Sequence, residues 1–122
     1  MPDTTTTVAE LRRLLAEFVA EREWQKYHDP KNLSMAIAIE TAELMEHFQW
    51  ARNEELPELL ADSDRRQEIA EEIADIACFL LSLANALNLD LSETIKMKLE
   101  KNRAKYPADQ FRGNYHKPKS QS

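Results

Sequence analysis

Four carboxylates at helical spacing are the residues of this chain best suited to do chemistry. Glu40 and Glu43 are three residues apart, as are Glu72 and Asp75, so each pair would share one face of a helix. Oxygen ligands without clustered His or Cys suit a hard divalent ion. The sequence therefore predicts a Mg²⁺ site formed by the four acids, with Mn²⁺ as a substitute ion.

The segments that carry these acids are largely apolar and contain no basic residues. No Lys or Arg occurs in residues 32–51 or 67–95, so the acids cannot pair with cations one turn away on their own helix. An unpaired carboxylate is very costly to remove from water, so it must take up a proton, pair across the fold or hold a metal ion. Acids three residues apart are common on exposed helices, but this apolar context favours the metal.

A di-iron helical bundle is the main competing metal site, since it also takes carboxylates from facing helices. Such a site requires Glu-x-x-His on two of its helices. Neither His28 nor His47 has a glutamate three positions before it, and His116 follows Gly113 at that distance. The sequence therefore disfavours a di-iron centre.

Lys98 and Asn102 are candidates for binding phosphate near the end of the chain. They are four residues apart and lie beside an apolar stripe that includes Leu99, so both would face inward from one helix. Lysine supplies a flexible point charge, and asparagine can bind phosphate or a sugar hydroxyl. A lysine that extends along its helix into solvent is an equally simple interpretation.

Trp24 departs from the apolar stripe of the first predicted helix and precedes Tyr27 and His28. A packing or interface residue is the simpler interpretation. A stacking surface for a planar ligand is the alternative.

Composition and apolar periodicity predict an all-α chain. A sequence of 122 residues with one Gly, five Pro and 43% apolar residues favours long helices over a turn-rich β fold. Four amphipathic segments are expected at about residues 7–28, 31–49, 64–88 and 90–105, the first and last starting with capping boxes. Their short connections predict an antiparallel four-helix bundle, with one short helical turn in the polar link between the second and third helices.

Length and charge limit the domain count and the partners. The whole chain, 1–122, is expected to be one domain, with a folded core at about 7–106 and a flexible tail at 107–122. A net charge of −6 disfavours a nucleic-acid binder, although eight of the 16 basic residues follow Ile95 and would suit an anionic ligand shared with the acids. The absence of a visible signal peptide or membrane-length apolar run predicts a cytoplasmic protein with no membrane partner.

The ordered motifs resemble a known family. The run FVAEREWQKYHDPKNL is followed by IETAELMEHFQW, by EEIADI and by KxxxNRxKYP with a final RG. This order resembles the all-α nucleoside triphosphate pyrophosphatases of the MazG-like superfamily, and within it the dCTP pyrophosphatase branch. The resemblance extends from about Leu11 to Gly113.

The resemblance implies a role for each candidate residue. It implies metal ligation by the four acids, stacking of the nucleobase, contacts to phosphate, and a homotetramer built as a dimer of dimers in which neighbouring subunits complete each pocket. Many members carry Glu-Glu at the first motif, whereas Ile39 precedes Glu40 here, so the number of bound metal ions stays open. The residues concerned are Glu40, Glu43, Glu72 and Asp75 for metal, Trp24 and Trp50 with His28 for the base, and Lys98, Asn102 and Tyr106 for phosphate.

The predicted function is a Mg²⁺-dependent nucleoside triphosphate pyrophosphohydrolase that cleans the nucleotide pool, with dCTP or a modified pyrimidine nucleotide as the favoured substrate. Glu40 would position or deprotonate the attacking water, and Lys98 would offset phosphate charge. A non-catalytic nucleotide sensor and a purely structural helical bundle are the alternatives.

Overall fold

The computed structural model describes residues 1–114, and every regular element in that part of the chain is helical. The predicted all-α class is therefore confirmed. No single helix there is long and apolar enough to cross a membrane, and one helix pair would pass that test only as an interrupted span, by length and composition alone. The helices are α1 (Val8–Glu21), α2 (Pro30–Glu46), α3 (Leu56–Ala61), α4 (Ser63–Ala86), α5 (Leu91–Lys105) and α6 (Ala108–Phe111), with single 3₁₀ turns at Gln25–Tyr27 and Asn53–Glu55.

Side-chain caps explain where the long helices begin. Thr7 accepts a hydrogen bond from the Glu10 N–H at 3.1 Å, and the Glu10 carboxylate accepts one from the Thr7 N–H at 3.3 Å, so the predicted capping box of α1 is present. Asp29 caps α2 and Asp90 caps α5 by accepting a hydrogen bond from the N–H group three residues on. The capping box predicted at Asp90 is therefore only half formed, since the described residues show no return bond from Glu93 to the Asp90 N–H. The cap of α4 is Asp62, two residues before the expected Asp64.

Helices α1 and α4 end in left-handed turns at residues other than glycine. Glu23 has φ 54° and Asn88 has φ 53°, and the residue after each donates its N–H to a carbonyl five positions back, which is the Schellman arrangement. Because the chain turns at Glu23, α1 ends earlier than the Asp29–Pro30 boundary that the sequence suggested. The same turn brings Trp24 back against α1, where its ring meets the Phe18 ring edge-on at 5.8 Å.

Helix α4 is the centre of the first of two compact units, Met1–Leu89, and packs against both α1 and α2. Arg12 joins α1 to the end of α4: its Nε donates to Asn85 Oδ1 at 2.7 Å and its Nη1 donates to the Leu89 carbonyl at 2.6 Å. Asn85 Nδ2 returns a hydrogen bond to the Arg12 carbonyl at 3.2 Å. These bonds set the position of α1 along α4.

The second unit begins at Asp90 and holds α5 and α6. Within it the Tyr106 and Phe111 rings meet edge-on at 5.2 Å, and Gly113 turns the chain with φ 77°. Helix α6 therefore lies inside the segment expected to be a flexible tail, while residues 115–122 of that segment lie outside the described residues. The single domain expected from the length stays a prediction.

Many apolar side chains predicted to form the core are exposed in the single chain. Ile69 is buried as expected, but Ile73 is 54% exposed and Leu80 is 46% exposed, although both belong to the same stripe of α4. Met45 on α2 is 64% exposed. Large apolar side chains exposed at helical spacing on α4 and α2 are typical of surfaces that pack against another element or chain.

The Arg12 hydrogen bonds give a stability prediction. Replacing Arg12 with Ala leaves the part-buried Asn85 carbonyl oxygen without its donor, and we expect the free energy of unfolding to fall by about 1–3 kcal/mol. The matched control is Arg13→Ala, because Arg13 makes only an exposed ion pair with Glu17 at 4.0 Å, which is worth less than about 1 kcal/mol. Urea denaturation at one fixed protein concentration measures both variants, and equal losses would contradict this role of Arg12.

Candidate active site

Three of the predicted metal ligands come together where α2 packs against α4. Glu40, Glu43 and Glu72 each offer one carboxylate oxygen, and these three oxygens lie within 4.8 Å of one another. Glu40 and Glu72 are half-buried and Glu43 is exposed. The i, i+3 spacing on α2 and the packing of the two helices together produce this acid cluster, which is defined here as Glu40, Glu43 and Glu72.

Two oxygens of the acid cluster have no partner. Oε2 of Glu40 and Oε2 of Glu72 are buried, and neither receives a hydrogen bond from any residue in 1–114. Over the same residues, no Lys or Arg lies within 4.0 Å of a carboxylate oxygen of the cluster. Buried carboxylate oxygens without a donor or a counter-ion are strongly unfavourable. The cluster therefore requires a proton or a cation.

The protonation of Glu40 reflects this crowding. The pKa of Glu40 is raised from 4.5 to about 7, and burial is the largest cause. A hydrogen bond to Glu43 and the negative charge of Glu43 come next, followed by a hydrogen bond to Glu72 and the negative charge of Asp75. Near neutral pH the neutral Glu40 can donate its proton to a neighbouring carboxylate. A divalent cation would replace that proton and satisfy all the oxygens at once, so the donor set fits a hard metal ion.

Asp75 connects the acid cluster to a groove between α1 and α4. Its charge acts on Glu40, and its side chain lines a mostly apolar cavity of about 650 Å³ together with Trp24 and His28. The same cavity is lined by Leu11, Leu14, Phe18, Cys78 and Leu81, among others. Asp75 is thus the predicted ligand that lies next to both the acids and the groove, although it is not one of the three converging oxygens.

Trp24 and His28 are held in place at the groove by local contacts. His28 Nδ1 donates a hydrogen bond to the Trp24 carbonyl at 3.0 Å, because a carbonyl oxygen can only accept. The guanidinium of Arg22 lies 3.8 Å from the centre of the Phe18 ring, which in turn meets Trp24. The groove therefore has an aromatic wall of the kind that receives a planar ring.

The other four predicted site residues are Trp50 in the first unit and Lys98, Asn102 and Tyr106 in the second. Trp50 lies beyond the end of α2 and is 88% exposed. Lys98 and Asn102 lie one turn apart on α5, with Lys98 exposed and Asn102 half-buried. Tyr106 follows α5, and its N–H donates to the Asn102 carbonyl at 2.8 Å.

Arg65 and His47 were not predicted as site residues, although they lie beside the acids. A cavity of about 600 Å³ is lined by Glu43, Glu46, His47, Arg65 and Glu72. Arg65 lies at the start of α4, just outside the stretch 67–95 in which the sequence was searched for basic residues. The available signal was its spacing, since residues seven apart, such as Arg65 and Glu72, share one face of a helix.

Known proteins with similar sequences are nucleotide pyrophosphatases. The profile of the MazG-like family matches residues 35–118. The chain is 39% identical over 108 residues to dCTP pyrophosphatase 1 of Bos taurus and 37% identical over 111 residues to that of Homo sapiens, alignments that cover 88% and 91% of this chain. The chain spans only 64% and 65% of the length of these relatives.

A solved structure agrees with the sequence matches. A pyrophosphatase from Archaeoglobus fulgidus superposes with a TM-score of 0.78 at 44% sequence identity, over 88% of this chain and 98% of that one. The resemblance inferred from the ordered motifs is thereby confirmed. The family profile, the sequence relatives and the fold agree, and the chain belongs to the MazG-like family.

Proposed function

We propose that this chain is a divalent-metal-dependent nucleoside triphosphate pyrophosphohydrolase that removes unwanted nucleotides from the cytoplasmic pool. The observation that carries the proposal is the acid cluster, with two buried oxygens that lack any partner, beside a groove with an aromatic wall. The similarity to proteins named dCTP pyrophosphatase 1 supports dCTP or a modified pyrimidine nucleotide as the preferred substrate.

The metal ion would be held by Glu40, Glu43, Glu72 and Asp75, with Mg²⁺ as the expected ion and Mn²⁺ as a substitute. When bound, it supplies positive charge that neutralises phosphate oxygens and stabilises the charge built up during reaction. The unpartnered oxygens of Glu40 and Glu72 support this assignment, because they are acceptors that nothing else in the described chain satisfies.

The carboxylates also provide the acid–base chemistry. Water attacks the triphosphate, the anhydride bond between the α and β phosphates breaks, and the products are a nucleoside monophosphate and pyrophosphate. The proton of the attacking water passes to a carboxylate of the cluster, and Glu40 is the proposed acceptor. Lys98 offsets negative charge on the phosphates, and Asn102 and Tyr106 contribute further phosphate contacts.

The groove between α1 and α4 would receive the nucleobase. Trp24 lines it and supplies a stacking face, while His28 offers a polar group beside it. Trp50 is the second stacking residue in this proposal. Since its ring is 88% exposed in the single chain, it is suited to act in the pocket of a neighbouring subunit.

Assembly as a homotetramer, a dimer of dimers, is part of the proposal. The exposed apolar stripes of α2 and α4 support it, because contact with other copies would remove them from water. In such an assembly each pocket combines residues from neighbouring subunits, which accounts for a groove that is open in the single chain.

A panel of nucleoside triphosphates, assayed with and without EDTA, tests the activity. We expect a monophosphate and pyrophosphate in equal amounts, only when Mg²⁺ is present, with a pyrimidine deoxynucleotide among the best substrates. Stoichiometric binding of a triphosphate without product would indicate a nucleotide sensor instead. Calorimetry that shows neither Mg²⁺ uptake nor nucleotide binding would indicate a structural bundle.

Removing single carboxylates tests the metal site. We expect Glu43→Gln and Asp75→Asn each to lower Mg²⁺-dependent pyrophosphate release by about 100-fold or more, since each removes a carboxylate charge that would hold the metal ion, and the metal ion stabilises the reacting phosphates. Glu71→Gln is the matched control, because Glu71 is exposed and its side chain makes one hydrogen bond within residues 1–114, which it accepts from Gln67 Nε2 at 3.4 Å. Circular dichroism checks that helicity is retained, and parent-like turnover by both site variants would show that the assignment is wrong.

The raised pKa of Glu40 gives a pH prediction for the metal-free protein. Because the folded-state pKa of about 7 exceeds the ordinary 4.5, the folded state binds more protons between these values. The stabilisation from this group is therefore fully present below about pH 4.5 and is lost as pH rises through about 7. We expect the metal-free melting temperature to fall across this range and Mg²⁺ to restore it at the upper end, whereas Glu40→Gln should remove this component. An unchanged pH dependence in Glu40→Gln would contradict the assignment.

A further inference from the structure

The cavity beside the acid cluster contains an arginine that forms no ion pair. This rim cavity, lined by Glu43, Glu46, His47, Arg65 and Glu72, lies where α2 ends and α4 begins. Although three carboxylates share the cavity with Arg65, none of them lies within 4.0 Å of its guanidinium, and the same holds for every other acid in residues 1–114. Proximity to acids has not produced a salt bridge here.

His47 holds the arginine from one side. Nη1 of Arg65 lies 3.4 Å from Nδ1 of His47. Since a guanidinium can only donate, Nδ1 of His47 accepts this bond and the imidazole carries its proton on Nε2. One of the five N–H donors of Arg65 is used in this way. The other four have no hydrogen-bond partner among residues 1–114, so they can bind an anion.

The order of residues along α4 places Arg65 at one end of the site. The groove residues Ala74–Ser82 lie toward the C-terminal end of α4, Glu72 lies between, and Arg65 lies two turns before Glu72. A nucleotide whose base occupies the groove and whose phosphates lie over the acids would therefore direct its outermost phosphates toward Arg65. A planar fork of N–H donors matches phosphate oxygens in a bidentate manner.

We propose that Arg65, oriented by His47, binds the β- and γ-phosphates of the substrate, which leave as pyrophosphate. This inference rests on the proposed function, since it assigns a residue to the leaving group of that reaction. Arg65 is then a substrate-binding residue, and His47 is a positioning residue that acts only through Arg65. Arg65 does not serve to neutralise the acid cluster in the nucleotide-free protein, because its guanidinium pairs with none of those carboxylates.

Inhibition by the two products separates this role from a general effect of charge. In Arg65→Gln we expect the inhibition constant for pyrophosphate and the KM for the triphosphate to rise by about 10- to 100-fold. A change of this size corresponds to the loss of one or two charge-assisted hydrogen bonds. Inhibition by the nucleoside monophosphate and binding of Mg²⁺ alone should stay near the parent values. Arg66→Gln is the matched control, since it removes the same charge from the adjacent position, which faces about 100° away on the helix.

His47 is tested through its dependence on Arg65. His47→Ala should weaken pyrophosphate inhibition several-fold in the parent and have no further effect in the Arg65→Gln background. Arg65→Lys, which keeps the charge but loses the planar fork, should recover only part of the affinity and also controls for folding.

The possible failures are distinguishable. If the parent releases no pyrophosphate from any triphosphate, the proposed function itself is wrong. If the parent is active and Arg65→Gln binds pyrophosphate like the parent, or if Arg65→Gln and Arg66→Gln weaken it equally, the role of Arg65 is overturned while the proposed function stands. A change in Mg²⁺ binding alone would instead assign Arg65 to the acids, and would equally overturn the proposal.

Discussion

The mutual repulsion of three carboxylates between α2 and α4 is the constraint on which this structure depends. Glu40, Glu43 and Glu72 are brought together by the packing of α2 against α4, and no Lys or Arg in the described chain pairs with them. Such an arrangement lowers the stability of the metal-free protein, and a fold tolerates it only where something gained from outside offsets the loss. The raised pKa of Glu40 results from this burial and repulsion, and a bound cation would neutralise the carboxylates.

The surrounding structure keeps the acids in register. A side-chain cap at the start of each long helix, and left-handed turns after Glu21 and Ala86, set the ends of α1 and α4. The bonds from Arg12 to Asn85 and Leu89 then fix α1 along α4, which determines where the groove lies relative to Asp75. None of these contacts touches the acids, yet a shift of one helical turn in either pair of helices would separate the groove from the cluster.

Local sequence patterns predicted the parts of this site that depend on one helix at a time. The i, i+3 spacing of the acids, the capping box of α1 and the all-α class required only patterns within single helices. Features that depend on two helices or on unusual backbone were not accessible: the contact between Arg65 and His47 depends on the register of α2 and α4, and Glu23 adopts a left-handed conformation that glycine normally supplies. The apolar stripe of α4 was predicted to pack in the core, but periodicity cannot tell whether the partner is the same chain or another, and Ile73, Leu80 and Leu87 of this stripe are exposed here.

Helix α4 determines the distances within the site because it is one unbroken element of 24 residues. Arg65, Glu72, Asp75 and the groove-lining Ser82 follow one another along it, so their separations are set by the helical rise of about 1.5 Å per residue rather than by loops. A rigid helix of this kind lets residues at its two ends change independently. In the proposed function, substitutions at the groove end would alter which base is accepted, while those at the Arg65 end would alter how the leaving group is held, without moving the carboxylates between them. The proposed chemistry would then depend on a short segment of α4 and its packing against α2, while the base pocket and the leaving-group contact lie to either side of that segment.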